Sequence, residues 1–381
     1  MARSAQLQAD RGNPRLKFLD RYVGIPVVEA LGAARRLRGR RPVPADWSSV
    51  GLLVTSGIGD TVVATGVMRD LRLARPDARI VLFVTANNAS FAATLTLPDE
   101  VVELPVRHVP TAVRMVREQH LDVVVDLASW RRYDAVLASF SGAAATVGRR
   151  TPGQHRDAAY DVAVDHRRDH ELANDRRLVA ALGLSADQLV SDPQLTLPEG
   201  TDRPLDAPYV VFHLWPGGAN FDERSWPSER WEDLAAAMAE RDLEVVLTGG
   251  PGDVEVNERL ADRWTALGRP TRSVAGGSWA ETFRWLVFAT GVISVNTGIM
   301  HVAAALGAPT LALNGPTSAA RWAPIGPFTR CVASPDVPDG YLDLGFESDP
   351  RHVDCMRAIT VASVLDAWDS LRAEAAAAGR A

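Results

Sequence analysis

Three stretches of this 381-residue sequence are suited to hold an anion: His213-Leu214-Trp215-Pro216-Gly217-Gly218-Ala219, Arg224-Ser225-Trp226-Pro227 and Asn296-Thr297-Gly298-Ile299-Met300-His301. The first and third stand where an apolar, β-branched run gives way to small residues. The first amides of a helix lack intrahelical partners, and with the helix dipole they make an anion site. Amides from Thr297 to Met300 would do this, with Gly298 permitting close backbone approach. The plainer reading is a cap by Asn296 or Thr297 and a packed, hydrogen-bonded His301. Arg224 offers a planar fork of donors suited to phosphate oxygens; its duller alternative is an ion pair with Asp222 or Glu223. In Gly249-Gly250-Pro251-Gly252-Asp253, Gly250 and Asp253 could face a ribose or sugar hydroxyl. Taken alone, that segment reads more simply as a turn and a cap.

A related turn, Gly57-Ile58-Gly59-Asp60, lies in the other half of the chain and follows another apolar run. A dinucleotide fingerprint would need glycine at position 62, where Val62 stands, so NAD binding loses its main support. What remains is a tight turn that brings a carboxylate to a helix start. Asp60 is then either a helix cap or a general base whose ionised form the helix dipole favours. Asp165-His166-Arg167-Arg168-Asp169-His170 has metal-like residue types, but a solvated charged loop explains it more simply. The sequence offers no HExxH, CxxC, Asp-X-Asp or GxSxG in a convincing setting, so no metal and no cofactor is expected. Cys331 and Cys355 read as structural thiols of a reduced compartment.

These turns need strands and helices to position them. Val50–Thr55, Ile80–Thr85 and Val123–Leu127 read as buried parallel strands, with a helix over 60–74. Residues 191–208 are rich in Pro, Asp and Gly and read as a linker. Beyond it the rhythm restarts: strands at Tyr209–His213, Glu244–Thr248, 271–275, Gly291–Val295 and Pro309–Leu313, with helices over 228–240, 254–266, 279–289 and 297–306. Alternation on both sides of one linker predicts an α/β chain of two doubly wound parallel sheets. The boundaries are 46–195 and 205–357. An Ala-rich helix in 358–381 can cross back to the first domain.

The length suffices for two cores. A net charge of −6 and 46% hydrophobic residues describe a globular protein and argue against a nucleic-acid partner. Residues 1–45 depart from that average. Within 11–41, Arg11, Arg15, Lys17, Arg21, Arg35, Arg36, Arg38, Arg40 and Arg41 alternate with Leu16, Leu19, Val23, Val27 and Leu31, interrupted by Pro26. The segment reads as an amphipathic surface for anionic lipid, as a helix packed on the body or as a disordered basic arm. The expected location is cytoplasmic, either free or peripheral on the inner face of the membrane. No run of eighteen apolar residues occurs.

Taken together, Gly59-Asp60, Trp226-Pro227-Ser228-Glu229-Arg230-Trp231, Leu247-Thr248-Gly249-Gly250-Pro251, Thr297-Gly298-Ile299-Met300-His301-Val302-Ala303-Ala304-Ala305 and Gly315-Pro316-Thr317 with Trp322 and Pro324 resemble glycosyltransferase family 9, the ADP-heptose lipopolysaccharide heptosyltransferases. Each is weak alone; five in family order, within residues 50–330, are specific. The resemblance implies the GT-B architecture, two Rossmann-like domains facing a cleft, with inverting chemistry and no required metal. It implies a nucleotide-sugar donor, ADP-linked, held by the second domain through Gly217, Gly218, Arg224, Gly250, Asp253, Asn296, Thr297, Gly298, Met300 and His301. The acceptor, a glycan, lipid-linked glycan or small molecule, falls to the first domain, with Asp60 as base and Gly57 and Gly59 in its loop. Three positions depart from the family pattern: Arg224 for Lys, Asn296 for Asp and Gly66 for Pro. Asn296 leaves the donor sugar open. The alternatives are an epimerase or hydrolase of the same fold, and a degenerate module that binds glycan or protein.

Overall fold

The computed structural model describes residues 18, 20–217, 221–342, 347, 349–352 and 354–380. The chain forms two units, one spanning Gly12–Pro193 and one running from Gln194 onward. In the first, the elements are α1 (Gly24–Arg38), β1 (Ser49–Leu53), α2 (Ile58–Ala74), β2 (Arg79–Val84), α3 (Ala89–Ala92), β3 (Glu100–Glu103), α4 (Val109–Glu118), β4 (Val123–Asp126), α5 (Arg132–Phe140), β5 (Ala145–Arg150), β6 (Val162–Asp165) and α6 (Glu171–Ala180). Its six strands pair in parallel in the order β3-β2-β1-β4-β5-β6. Val50 sits in register with Ile80 on one side and Val123 on the other. Such central strands are buried on both faces, which is why they read as continuous apolar runs.

The second unit contains β7 (Tyr209–His213), α7 (Phe221–Arg224), α8 (Ser228–Ala239), β8 (Glu244–Leu247), α9 (Val254–Ala266), β9 (Thr271–Ser273), α10 (Trp279–Val287), β10 (Gly291–Val295), α11 (Gly298–Ala305), β11 (Thr310–Asn314), α12 (Ala319–Trp322), β12 (Thr329–Ala333) and α13 (Val361–Ala377). Its parallel sheet runs β12-β11-β10-β7-β8-β9, the same plan as the first. In each unit the sheet is wound outward from two central strands, the doubly wound order 3-2-1-4-5-6.

Val364, Trp368 and Leu371 of α13 join Ile293, Leu311 and Leu313 in the core of their own unit. Its apolar positions recur at helical spacing, and Gly291 leaves room for them: a Cβ there would meet the Trp368 indole at 2.6 Å. At the other end, part of residues 1–45 forms a helix packed on the first unit, one of the readings the sequence left open. Pro26 stands in the first turn of α1, where its missing N–H costs nothing, so it does not interrupt the helix. α1 buries Val28, Gly32 and Arg35 on the first unit. A Cβ on Gly32 would fall 2.6 Å from that of Ala158. The Arg35 guanidinium pairs with Asp161 at 2.6 Å and donates to the Thr146 hydroxyl at 2.9 Å. Arg11, Arg15, Leu16, Lys17 and Leu19 lie outside the described residues.

Candidate functional site

In a sheet of this order the chain leaves the two central strands in opposite directions, and the crevice at their carboxyl ends admits ligand. In the second unit those strands are β7 and β10. Arg224, the last residue of α7, joins the loops that follow them: Nη1 donates to the Gly217 carbonyl at 2.7 Å and Nη2 to the Asn296 carbonyl. A guanidinium is therefore held at the switch point by two backbone oxygens, each of which opposes part of its charge. Asn296 is buried, and its side-chain amide donates to the Trp322 carbonyl at 3.1 Å. Gly218 lies outside the described residues.

Thr297 is the extended cap residue of α11, and its side chain makes no capping bond. Of the amides expected to face an anion, that of Met300 is used inside the turn, donating to the Thr297 carbonyl at 3.2 Å. The Met300 side chain is fully buried. Thr297, Gly298 and Ile299 remain half-buried at the helix start. His301 is buried edge-on to Trp322, with ring centroids 6.2 Å apart. The Asp253 carboxylate accepts the Gly250 amide at 2.8 Å, closing its own turn.

Beneath these loops lies Asn257, which sequence reading did not single out. Asn257 is buried, accepts the Trp215 indole N–H at 2.7 Å and donates to the Thr248 carbonyl at 3.2 Å. His213 ends β7 with Nδ1 3.1 Å from the Thr248 hydroxyl, and burial pushes its pKa down to about 4. An unfolded histidine near 6.5 binds protons between pH 4 and 6.5 while the folded one does not, so stability rises with pH across that window. His213 alone is expected to remove about 3 kcal/mol as pH falls from 6.5 to 4. Urea titrations of native protein and His213→Asn across that range should diverge, with the variant the flatter. Parallel curves would remove His213 as the cause.

In the first unit, Gly57 takes the extended cap position of α2, and Asp60 is the third helical residue rather than the cap. Asp60 is half-buried, and its Oδ2 lies 3.3 Å from where a Gly57 Cβ would stand, so the carboxylate folds back over the turn. Gly59 lies between them in the first turn. A buried ionic layer supports this edge. Asp126, at the end of β4, accepts from Arg156 at 2.6 Å and from the Tyr160 hydroxyl at 2.5 Å. Asp134 accepts the Thr55 hydroxyl at 2.6 Å, and burial pushes its pKa up to about 6 against the opposing Arg131 charge. Arg149 pairs with Glu171 at 2.8 Å, with Asp175, and with the Leu127 carbonyl at 3.1 Å. Burial raises the pKa of Asp175; Arg149 opposes the shift, and the like charges of Glu171 and Asp60 add to it. An acid closing an apolar strand, as in Val123-Val124-Val125-Asp126, was the available sequence signal.

The residues of the Asp165–His170 tract are otherwise engaged. Arg150 pairs with Asp165 at 2.8 Å, Arg177 with Asp169, and His170 Nδ1 accepts the Leu172 amide at 3.2 Å.

Two six-stranded doubly wound parallel units in one chain are the GT-B architecture. The model of "Glycosyltransferase family 9 (heptosyltransferase)" matches residues 111–339, and the chain belongs to that family. It is 30% identical over 295 residues to lipopolysaccharide heptosyltransferase 1 of Pseudomonas aeruginosa strain PAO1, covering 70% of this chain and 78% of the relative. Among solved structures, the Escherichia coli ADP-heptose lps heptosyltransferase II aligns with a TM-score of 0.67 at 20% identity, over 86% of this chain and 99% of that one. The dodecameric iron-containing heptosyltransferase TibC aligns at 0.53 and 15% identity, over 86% and 76%.

Proposed function

We propose that this glycosyltransferase moves heptose, or a closely related sugar, from an ADP-linked donor to a hydroxyl of a glycan or lipid-linked acceptor. The reaction inverts the anomeric centre and uses no metal, and the enzyme works at the cytoplasmic face of a membrane. The second unit holds the donor. Arg224 and the amides at the start of α11 stabilise the departing diphosphate, the contribution that grows as charge develops in the transition state. The first unit binds the acceptor, and Asp60 takes its hydroxyl proton as the oxygen attacks the anomeric carbon. Asn296, Gly217, Gly250, Asp253 and His301 are assigned to the same donor site.

The observation that carries this reading is the Arg224 guanidinium held between the Gly217 and Asn296 carbonyls. A lysine has the charge but lacks the planar fork that reaches both loops. Charged hydrogen bonds contribute about 1.5–3 kcal/mol each, so Arg224→Lys is expected to weaken ADP binding roughly ten- to a hundredfold. Calorimetry with ADP, GDP and UDP in the presence of a chelator measures this directly. Equal ADP affinity in the variant would take Arg224 out of the donor site. Loss of native transfer activity on chelation, restored by iron, would overturn metal independence.

A further inference from the structure

We propose that the outward face of α1 docks on an anionic lipid bilayer. α1 has two apolar faces, and one is taken up by the first unit through Val28, Gly32 and Arg35. The other faces solvent: Val23, Val27, Ala30, Ala34 and Leu37 recur at helical spacing, and all are exposed, Leu37 at 91% of its surface. Just before α1, the tilted rings of Phe18 and Tyr22 pack with centroids 4.3 Å apart, each 60% exposed. An apolar row this long, with aromatic rings at one end, is not the usual surface of a globular helix.

The charge around the stripe selects the occupant. Arg21, Arg36, Arg38 and Arg40 are exposed along the same segment. Between residues 18 and 41 the acids are Asp20 and Glu29; Asp20 is mostly buried and pairs with Arg132 at 2.7 Å, which leaves Glu29 as the exposed acid. Apolar and aromatic side chains in a basic setting suit the headgroup boundary of a bilayer, where cations meet anionic lipid and the rings sit between water and acyl chains. A second copy of the chain fits poorly, because a two-fold pairing would set this cationic stripe against itself. The inference deepens the peripheral placement above but is independent of the donor chemistry.

The test is sedimentation of the full chain with vesicles of phosphatidylcholine, with and without phosphatidylglycerol. The native protein is expected to sediment with the anionic vesicles and to remain in the supernatant with the neutral ones. Each cation near an anionic surface contributes roughly fivefold to partition, so Arg21→Gln, Arg36→Gln and Arg40→Gln combined should lower it about a hundredfold. Tyr22→Ser with Leu37→Ser should lower it about tenfold or more. Circular dichroism and ADP binding should be unchanged in both variants, because the substituted side chains are exposed. Equal sedimentation of native and variant proteins, or none with anionic vesicles, would sink the proposal. So would a concentration-dependent dimer abolished by Leu37→Ser, which would assign the stripe to a second copy.

Discussion

Asp60→Asn is expected to lower kcat for sugar transfer by about a hundredfold to ten-thousandfold, the usual range for a positioned general base. The substitution is nearly isosteric and leaves an amide that cannot accept the acceptor's proton. Asp60 stands in the first turn of α2 with its carboxylate over Gly57, so losing the charge also removes a favourable helix-end interaction. That loss costs about 0.3–1 kcal/mol, far less than the catalytic effect. Donor affinity, read by calorimetry with ADP, should be unchanged, because the residues proposed for donor binding belong to the second unit. Single-turnover transfer is the deciding measurement. A variant within a few-fold of native would exclude Asp60 as the base.

Arg156→Met should be the most destabilising single change among those considered. Arg156 and Asp126 pair at 2.6 Å with side chains at 1% and 0% exposure, and the Tyr160 hydroxyl completes the cluster. Removing the cation leaves a buried carboxylate close to Asp134, whose own pKa burial already raises. Breaking such a pair costs about 3–5 kcal/mol, roughly a 10 °C fall in the melting temperature of a unit this size. Adding Asp126→Asn should recover part of the loss, because the unpaired charge is then gone. Nε and Nη1 of Arg156 have no protein acceptor among the described residues. A loss below about 1 kcal/mol for Arg156→Met would show that the pair adds little.

The central strands of both sheets were legible because burial on two faces demands apolar, β-branched runs: Tyr209–His213 and Gly291–Val295 were read with the bounds the structure gives. Three of the four edge strands were not. β3 is Glu100-Val101-Val102-Glu103, β6 is Val162-Ala163-Val164-Asp165 and β12 is half-exposed throughout, so their patterns are short and mixed with polar residues. β5 was missed too, because Gly148 and two arginines dilute its apolar pattern. Turn chemistry pointed to Asp60, Arg224 and Asn296, since glycine, acid and amide residues after a strand mark its carboxyl end. The partners of Arg224 could not be read, because nothing in local sequence says that residue 224 reaches residue 296. Asp126 at the end of an apolar strand was a signal, but its buried partners Arg149, Arg156 and Asp175 were invisible for the same reason: each alone reads as a surface charge.

The docking of α1 bears on how the chain can be shortened. Asp161 is balanced by Arg35 at 2.6 Å, Arg41 at 3.4 Å and Arg38 at 3.8 Å, all from the first forty-one residues. A shortened version starting at β1 would lose all three counter-ions at once and uncover the groove that Val28 and Gly32 occupy. Such a truncation would trade a sticky surface for an unstable one. Anyone seeking a better-behaved protein should keep the backbone of this segment and change its outward side chains.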